Sequence, residues 1–93
     1  MKNVLCIVNP VSGLKKSLKV YSEVKNLIES HGFTPQLLKT EYAGHAKKVI
    51  SELQPNDFNR ILIFGGDGTV NEVINGLYQS DLCSLFPIGI IPT

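Results

Sequence analysis

Four short apolar runs alternate with three stretches of helical period, and no other feature of this chain restricts its fold so tightly. The first run, Val4–Val8 (VLCIV), is continuous and rich in β-branched residues, the pattern of a strand buried on both faces. From Ser17 to about Ser30, Val20, Tyr21, Val24, Leu27 and Ile28 recur every three to four residues. Lys19, Glu23, Lys25 and Glu29 fall largely on the other side, which predicts an amphipathic helix, and Gly32 suits its C-terminal cap. Phe33–Thr40 reads as a second strand. Pro35 cannot donate to a ladder, so this strand sits at an edge or begins after the proline. A second helix is predicted from about Gly44 to Leu53, with Ala46, Val49, Ile50 and Leu53 as its stripe and Pro55-Asn56 as its stop. Arg60–Phe64 (RILIF) is a third strand. A third helix runs from about Thr69 to Tyr78 through Val70, Val73, Ile74 and Leu77, then Gln79–Leu85 forms a loop and Pro87–Ile91 a fourth strand.

The order βαβαβαβ with short links predicts an α/β fold, an open parallel sheet with helices on both faces. Such sheets bind ligands beyond the carboxyl ends of their strands. The turns Asn9–Gly13 and Gly65–Gly68 fall at that edge, and so does Thr40. The 93 residues end at Pro92-Thr93, where the next loop at that edge is due, so the architecture is expected to be incomplete.

Composition removes several function classes. No apolar run approaches the ~20 residues of a membrane span, and Val4–Val8 is too short for a secretory signal. Two cysteines, Cys6 in an apolar run and Cys83 far away, make neither a disulfide scaffold nor a CxxC metal site, and point to the cytoplasm. A net charge of +1 gives no bulk attraction for nucleic acid. The charge is uneven, however: residues 1–50 hold eight Lys and three Glu, residues 51–93 one Arg and five acidic residues. Lys15, Lys16 and Lys19 lie close together. A solvated helix face explains them, and attraction to an anionic ligand or membrane surface is the alternative.

Gly65-Gly66-Asp67-Gly68-Thr69 places three glycines between a strand and a helix. Glycine permits positive φ and close backbone approach. The first amides of the helix lack partners and sit at the positive end of its dipole, so the turn can cradle phosphate. Asp67 would repel phosphate, and fits better as a ligand of Mg²⁺ through water or as an acceptor of a hydroxyl proton. A plain strand-to-helix turn capped by Asp67 or Thr69 is the competing reading. Asn71, Glu72 and Asn75 share the side of the helix away from its apolar stripe. Gly76 costs ~1 kcal/mol inside a helix, which implies close packing against a neighbouring strand or a ligand. The first turn, Asn9-Pro10-Val11-Ser12-Gly13, could also hold phosphate oxygens, although it matches neither a P-loop nor a dinucleotide fingerprint.

With these motifs taken together, the chain resembles the N-terminal catalytic region of the diacylglycerol kinase-like lipid kinases, which include sphingosine and ceramide kinases. The resemblance rests on IVNPVSG at Ile7–Gly13, GHA at Gly44–Ala46, FGGDGTVNEVINGL at Phe64–Leu77 and IGIIP at Ile88–Pro92, in family order along the whole chain. It implies Mg²⁺-assisted transfer of the ATP γ-phosphate to a lipid hydroxyl at a membrane surface. It implies ATP contacts at Asn9, Pro10, Val11, Ser12 and Gly13, at Thr40, and at Gly66, Asp67, Gly68, Thr69, Val70, Asn71 and Glu72, with Asp67 in a catalytic or metal-linked role. No metal ligand is assigned. It also implies a second, β-rich domain that these residues lack, so residues 1–93 are expected to be the nucleotide-binding part, inactive alone. GGDG rather than SGDG leans toward a diacylglycerol kinase-like enzyme of bacterial type. The alternatives are an NAD kinase-like or sugar kinase, which shares the GGDG turn, and a non-catalytic nucleotide-binding module, in which a free sheet edge would favour homo-oligomers. Tyr21 is expected in the core, His31 at a helix end, His45 in a structural or capping role, and Tyr42 at the ligand edge, where it could stack on adenine.

Overall fold

A computed structural model describes residues 2–10, 16–54, 57–80 and 86–92. Its elements are β1 (Asn3–Val8), α1 (Ser17–Ser30), β2 (Thr34–Lys39), α2 (His45–Ser51), β3 (Arg60–Phe64), α3 (Asp67–Gln79) and β4 (Ile88–Ile91). The four strands form one parallel sheet in the order β2-β1-β3-β4. The expected α/β architecture is therefore present. Pro35 lies within β2, and β2 is an edge strand.

Alternation along β1 and β3 divides the core into two layers. Val4, Cys6, Val8 and Phe64 pack with Tyr21 and Ile28 of α1 on one face. Leu5, Ile7, Ile61 and Ile63 pack with Ala46 and Ile50 of α2 and Val73 and Leu77 of α3 on the other. Each fully buried isoleucine contributes ~1.5–3 kcal/mol, so the central strands are the strongest part of the fold. Tyr21 meets Phe64 edge-to-face at 5.6 Å and 86°, which fixes α1 on the sheet.

The chain leaves β1 for the edge strand β2, then crosses back over β1 to β3. That reversal sends α1 to one face and α2 and α3 to the other, as right-handed crossovers require. The strand order switches between β1 and β3, and a crevice opens there beyond their carboxyl ends.

Several boundaries differ from the sequence reading. β2 ends at Lys39, so Thr40 is the first residue beyond it, and β4 starts at Ile88. α2 is shorter, His45–Ser51: Gly44 sits outside its start at φ +92, a left-handed conformation that no helix continues through, and Glu52 caps its end. α3 starts two residues earlier than Thr69 and runs to Gln79. Its N-cap is Gly66, with extended φ/ψ of −96 and −169, so neither Asp67 nor Thr69 caps it. Among the described glycines, only Gly32 and Gly44 have positive φ, so Gly66 and Gly68 are not there for left-handed backbone. Gly32 does close α1 as expected: Phe33 N–H donates to Ile28 C=O at 3.2 Å and Gly32 N–H to Glu29 C=O at 3.1 Å, a Schellman pair.

Leu27 and Ile74 belong to their helical stripes but are exposed. Gly76 meets a helix rather than a strand or ligand: a Cβ there would lie 3.0 Å from Ile50 Cβ and Cγ2 and 3.1 Å from Lys47 C=O, so α2 and α3 nearly touch. The Pro55-Asn56 stop, Lys15, Cys83 and most of the Gln79–Leu85 loop lie outside the described residues.

Candidate functional site

A cavity of about 720 Å³ occupies the carboxyl edge of the sheet at this switch. That volume is within the usual range for small-molecule and cofactor sites. Asn9 and Pro10 follow β1 into it. Lys39, Thr40, Glu41, Tyr42 and Ala43 line it from the end of β2. Gly68, Thr69 and Glu72 reach it from α3, and Leu18 from α1.

Backbone bonds hold these segments in place. Thr40 N–H donates to Val8 C=O at 2.9 Å, and Thr40 Oγ1 donates to the same oxygen at 3.4 Å. Asn9 N–H donates to Phe64 C=O at 3.5 Å, joining the ends of β1 and β3. Past Thr40, Glu41 N–H donates to His45 Nδ1 at 2.9 Å, and the Tyr42 and His45 rings stack at 4.7 Å and 11°.

The N-terminus of α3 supplies the electrostatics. The first intrahelical bond runs from Val70 N–H to Gly66 C=O at 3.2 Å. The amides of Asp67, Gly68 and Thr69 therefore have no acceptor within the helix, and no side chain caps it. A Cβ on Gly68 would meet nothing within 4 Å, so the missing side chain leaves open space beside these amides. Lys39 adds a positive charge at the rim.

Glu72 departs from its neighbours. Asn71 and Asn75 are exposed, whereas Glu72 is half-buried and its Oε1 is buried with no hydrogen-bond partner. An orphaned acceptor of this kind costs about 1–3 kcal/mol, and more when charged.

Of the residues expected at the site, the fold brings Asn9, Pro10, Thr40, Gly68, Thr69 and Glu72 to one cavity. Val70 packs against the α2–α3 core layer instead. Gly66, Asp67 and Asn71 are exposed beside the cavity without lining it. Val11, Ser12 and Gly13 lie outside the described residues. Lys39, Glu41, Ala43 and Leu18 also line the cavity. Sequence reasoning passed over them, although Lys39, Glu41 and Ala43 flank Thr40 at the strand end where ligands are expected.

His45 fastens the loop that precedes α2, as a structural role requires. His31 Nδ1 lies 2.8 Å from Leu27 C=O at the end of α1, and Tyr21 is core. Burial raises the Cys6 thiol to about 11, far from a metal-binding thiolate. Burial also raises Tyr21, with Cys6 and Glu29 adding to the effect. No group of three or more His, Cys, Asp or Glu that could hold a metal occurs among the described residues. No helix among them is long and apolar enough to cross a membrane.

A doubly wound parallel sheet with a cavity at its switch point, bordered by an uncapped helix N-terminus, defines an open α/β protein of the kind that binds ligands at the carboxyl edge of its sheet. Comparison with known proteins is more specific. Residues 3–93 match the diacylglycerol kinase catalytic domain, and the chain belongs to that family. It is 36% identical over 92 residues to a diacylglycerol kinase of Bacillus subtilis, covering 99% of this chain and 30% of that protein. It is 33% identical over 95 residues to sphingosine kinase 1 of Arabidopsis thaliana, covering 98% of this chain and 20% of that protein. A crystal structure of a diacylglycerol kinase from Bacillus anthracis superposes with a TM-score of 0.78 at 32% identity, over 98% of this chain and 32% of that one. The chain thus spans less than a third of each of these relatives.

Proposed function

We propose that this chain forms the ATP-binding part of a lipid kinase that phosphorylates a lipid hydroxyl of the diacylglycerol type. The observation that carries this reading is the meeting, at one cavity, of Gly68 and Thr69 from the uncapped start of α3 with Glu72, whose buried Oε1 has no hydrogen-bond partner. The amides suit phosphate oxygens, and the carboxylate suits a cation or hydroxyl brought by the same ligand.

Phosphoryl transfer depends on positioning and charge neutralisation more than on covalent chemistry by the protein. Thr40 and Asn9 are held by the strand ends and line the site. Gly68 admits the phosphates to the backbone. Mg²⁺ usually takes one or two carboxylates and completes its shell with phosphates and water, so Glu72 and Asp67 fit a cation that travels with the nucleotide; when bound, it would neutralise phosphate charge. In the transfer, the lipid oxygen bonds to the γ-phosphorus, the β–γ bridge breaks to release ADP, and the hydroxyl proton needs an acceptor. Asp67, exposed in the first turn of α3, is our candidate for that acceptor or for a metal-linked role. The whole enzyme would act peripherally at a membrane surface, with further residues supplied by the portion its relatives carry beyond this stretch.

The test is lipid phosphorylation by the full-length protein, with diacylglycerol, sphingosine and NAD compared as acceptors. Activity on diacylglycerol, lost in Asp67→Asn, is expected. Near-normal turnover in Asp67→Asn would remove Asp67 from the mechanism, and turnover of NAD alone would overturn the lipid assignment.

A further inference from the structure

The loop from β2 to α2 carries an aromatic pair that the phosphate chemistry does not use. Tyr42 lines the cavity and is 54% exposed. One of its faces is occupied, because the His45 ring stacks on it at 4.7 Å and 11°. His45 is itself fixed twice. Its ring Nδ1 accepts from Glu41 N–H at 2.9 Å, and its backbone N–H donates to Tyr42 C=O at 3.1 Å. Gly44, at φ +92, provides the bend that brings residue 45 back under residue 42. The loop therefore closes on itself, with the phenol ring packed on His45 and standing at the cavity wall.

Pre-ordering an exposed aromatic ring beside a cavity is useful if something planar stacks on it, since the ordering cost is then paid in advance. A nucleoside triphosphate has a planar base at one end and anionic phosphates at the other. The cavity offers an aromatic ring on the β2 side and unpaired amides on α3. We propose that Tyr42 is the base-stacking residue of this site and that His45 is a positioning residue acting through it. This rests on the nucleotide reading above and adds which group holds the base.

Calorimetric titration of the full-length protein with Mg²⁺–ATP and with Mg²⁺–triphosphate, which has no base, separates the two readings. Stacking of a base on an aromatic side chain corresponds to roughly 5- to 150-fold in affinity. Tyr42→Ala is expected to weaken ATP by that range and to leave triphosphate within twofold. Tyr42→Phe keeps the ring and the ATP affinity. His45→Ala weakens ATP by a smaller factor, and adds nothing in the Tyr42→Ala background, as two residues acting as one unit must. Melting curves check that each variant is folded. Unchanged ATP affinity in Tyr42→Ala, or equal losses for ATP and triphosphate, overturns the stacking role and leaves the nucleotide site standing. Failure of the unaltered protein to bind either ligand overturns the nucleotide reading, and the stacking role with it.

Discussion

Alanine placed at two glycines of one helix, α3, should move stability in opposite directions. At Gly68 the added methyl meets nothing within 4 Å. Only backbone entropy and helix propensity change there, so Gly68→Ala should stabilise by about 0.5–1 kcal/mol. At Gly76 the same propensity gain applies, but the methyl would sit 3.0 Å from Ile50 Cβ and Cγ2 and 3.1 Å from Lys47 C=O. Ordinary carbon contacts are ~3.5–4.0 Å. Ile50 is fully buried and β-branched, and the third contact is backbone, so none of the three can swing aside. The helices must part by about half an ångström, at an overpacking cost of about 1–3 kcal/mol. Net destabilisation of about 1 kcal/mol remains, a fall of ~4–8 °C in Tm for a domain of this size. Thermal melts of both variants give the answer, and the shared propensity term cancels in their difference. If Gly76→Ala raised Tm as much as Gly68→Ala, the close α2–α3 approach would carry no energetic weight and the explanation for Gly76 would fail. Gly68→Ala should also weaken nucleotide binding while it stabilises, because its methyl enters the open space beside the α3 amides.

Two further outcomes follow from buried groups. Glu72→Gln removes an orphaned charge at nearly constant shape, so Tm should hold or rise while Mg²⁺–ATP affinity falls about tenfold; a fall of several degrees in Tm would show that Oε1 has a protein partner. Stability should decline above about pH 9, because the unfolded Cys6 thiol ionises near 9.0 while burial holds the folded one to about 11. The stabilisation is complete below that window and is lost through it, by about 2 to 3 kcal/mol. Tyr21, also raised by burial, acts in the same direction. Urea midpoints measured from pH 7 to 11 follow this decline, and Cys6→Ala should remove the thiol's share of it.

Much of the site was legible as an address and little of it as a geometry. The alternation of VLCIV, RILIF and the helical stripes specified a parallel sheet, and the rule that ligands gather at the carboxyl ends located Asn9, Thr40 and Gly68 together. Spacing along a helix could not separate Glu72 from Asn71 and Asn75, because all three share the polar side of α3. Only the fold determines which of them turns toward β1 and β2 and loses water. The same holds for Val70, one residue from the cavity in sequence and part of the core in space.

Gly76 and His45 mark the same boundary. Local propensity announced that Gly76 needed a packing reason, yet its neighbour, Ile50, is 26 residues away on another helix. His45 could be placed near a helix start, but its stack on Tyr42 depends on the left-handed bend at Gly44. The sequence by itself determined the order of elements, the sheet edge at which the cavity opens and the family signature, since these follow from residue periodicity and local turn chemistry. The tertiary structure decided which polar atoms are buried, which helices touch and which ring faces the cavity, because those depend on distances between segments that the chain brings together only when folded.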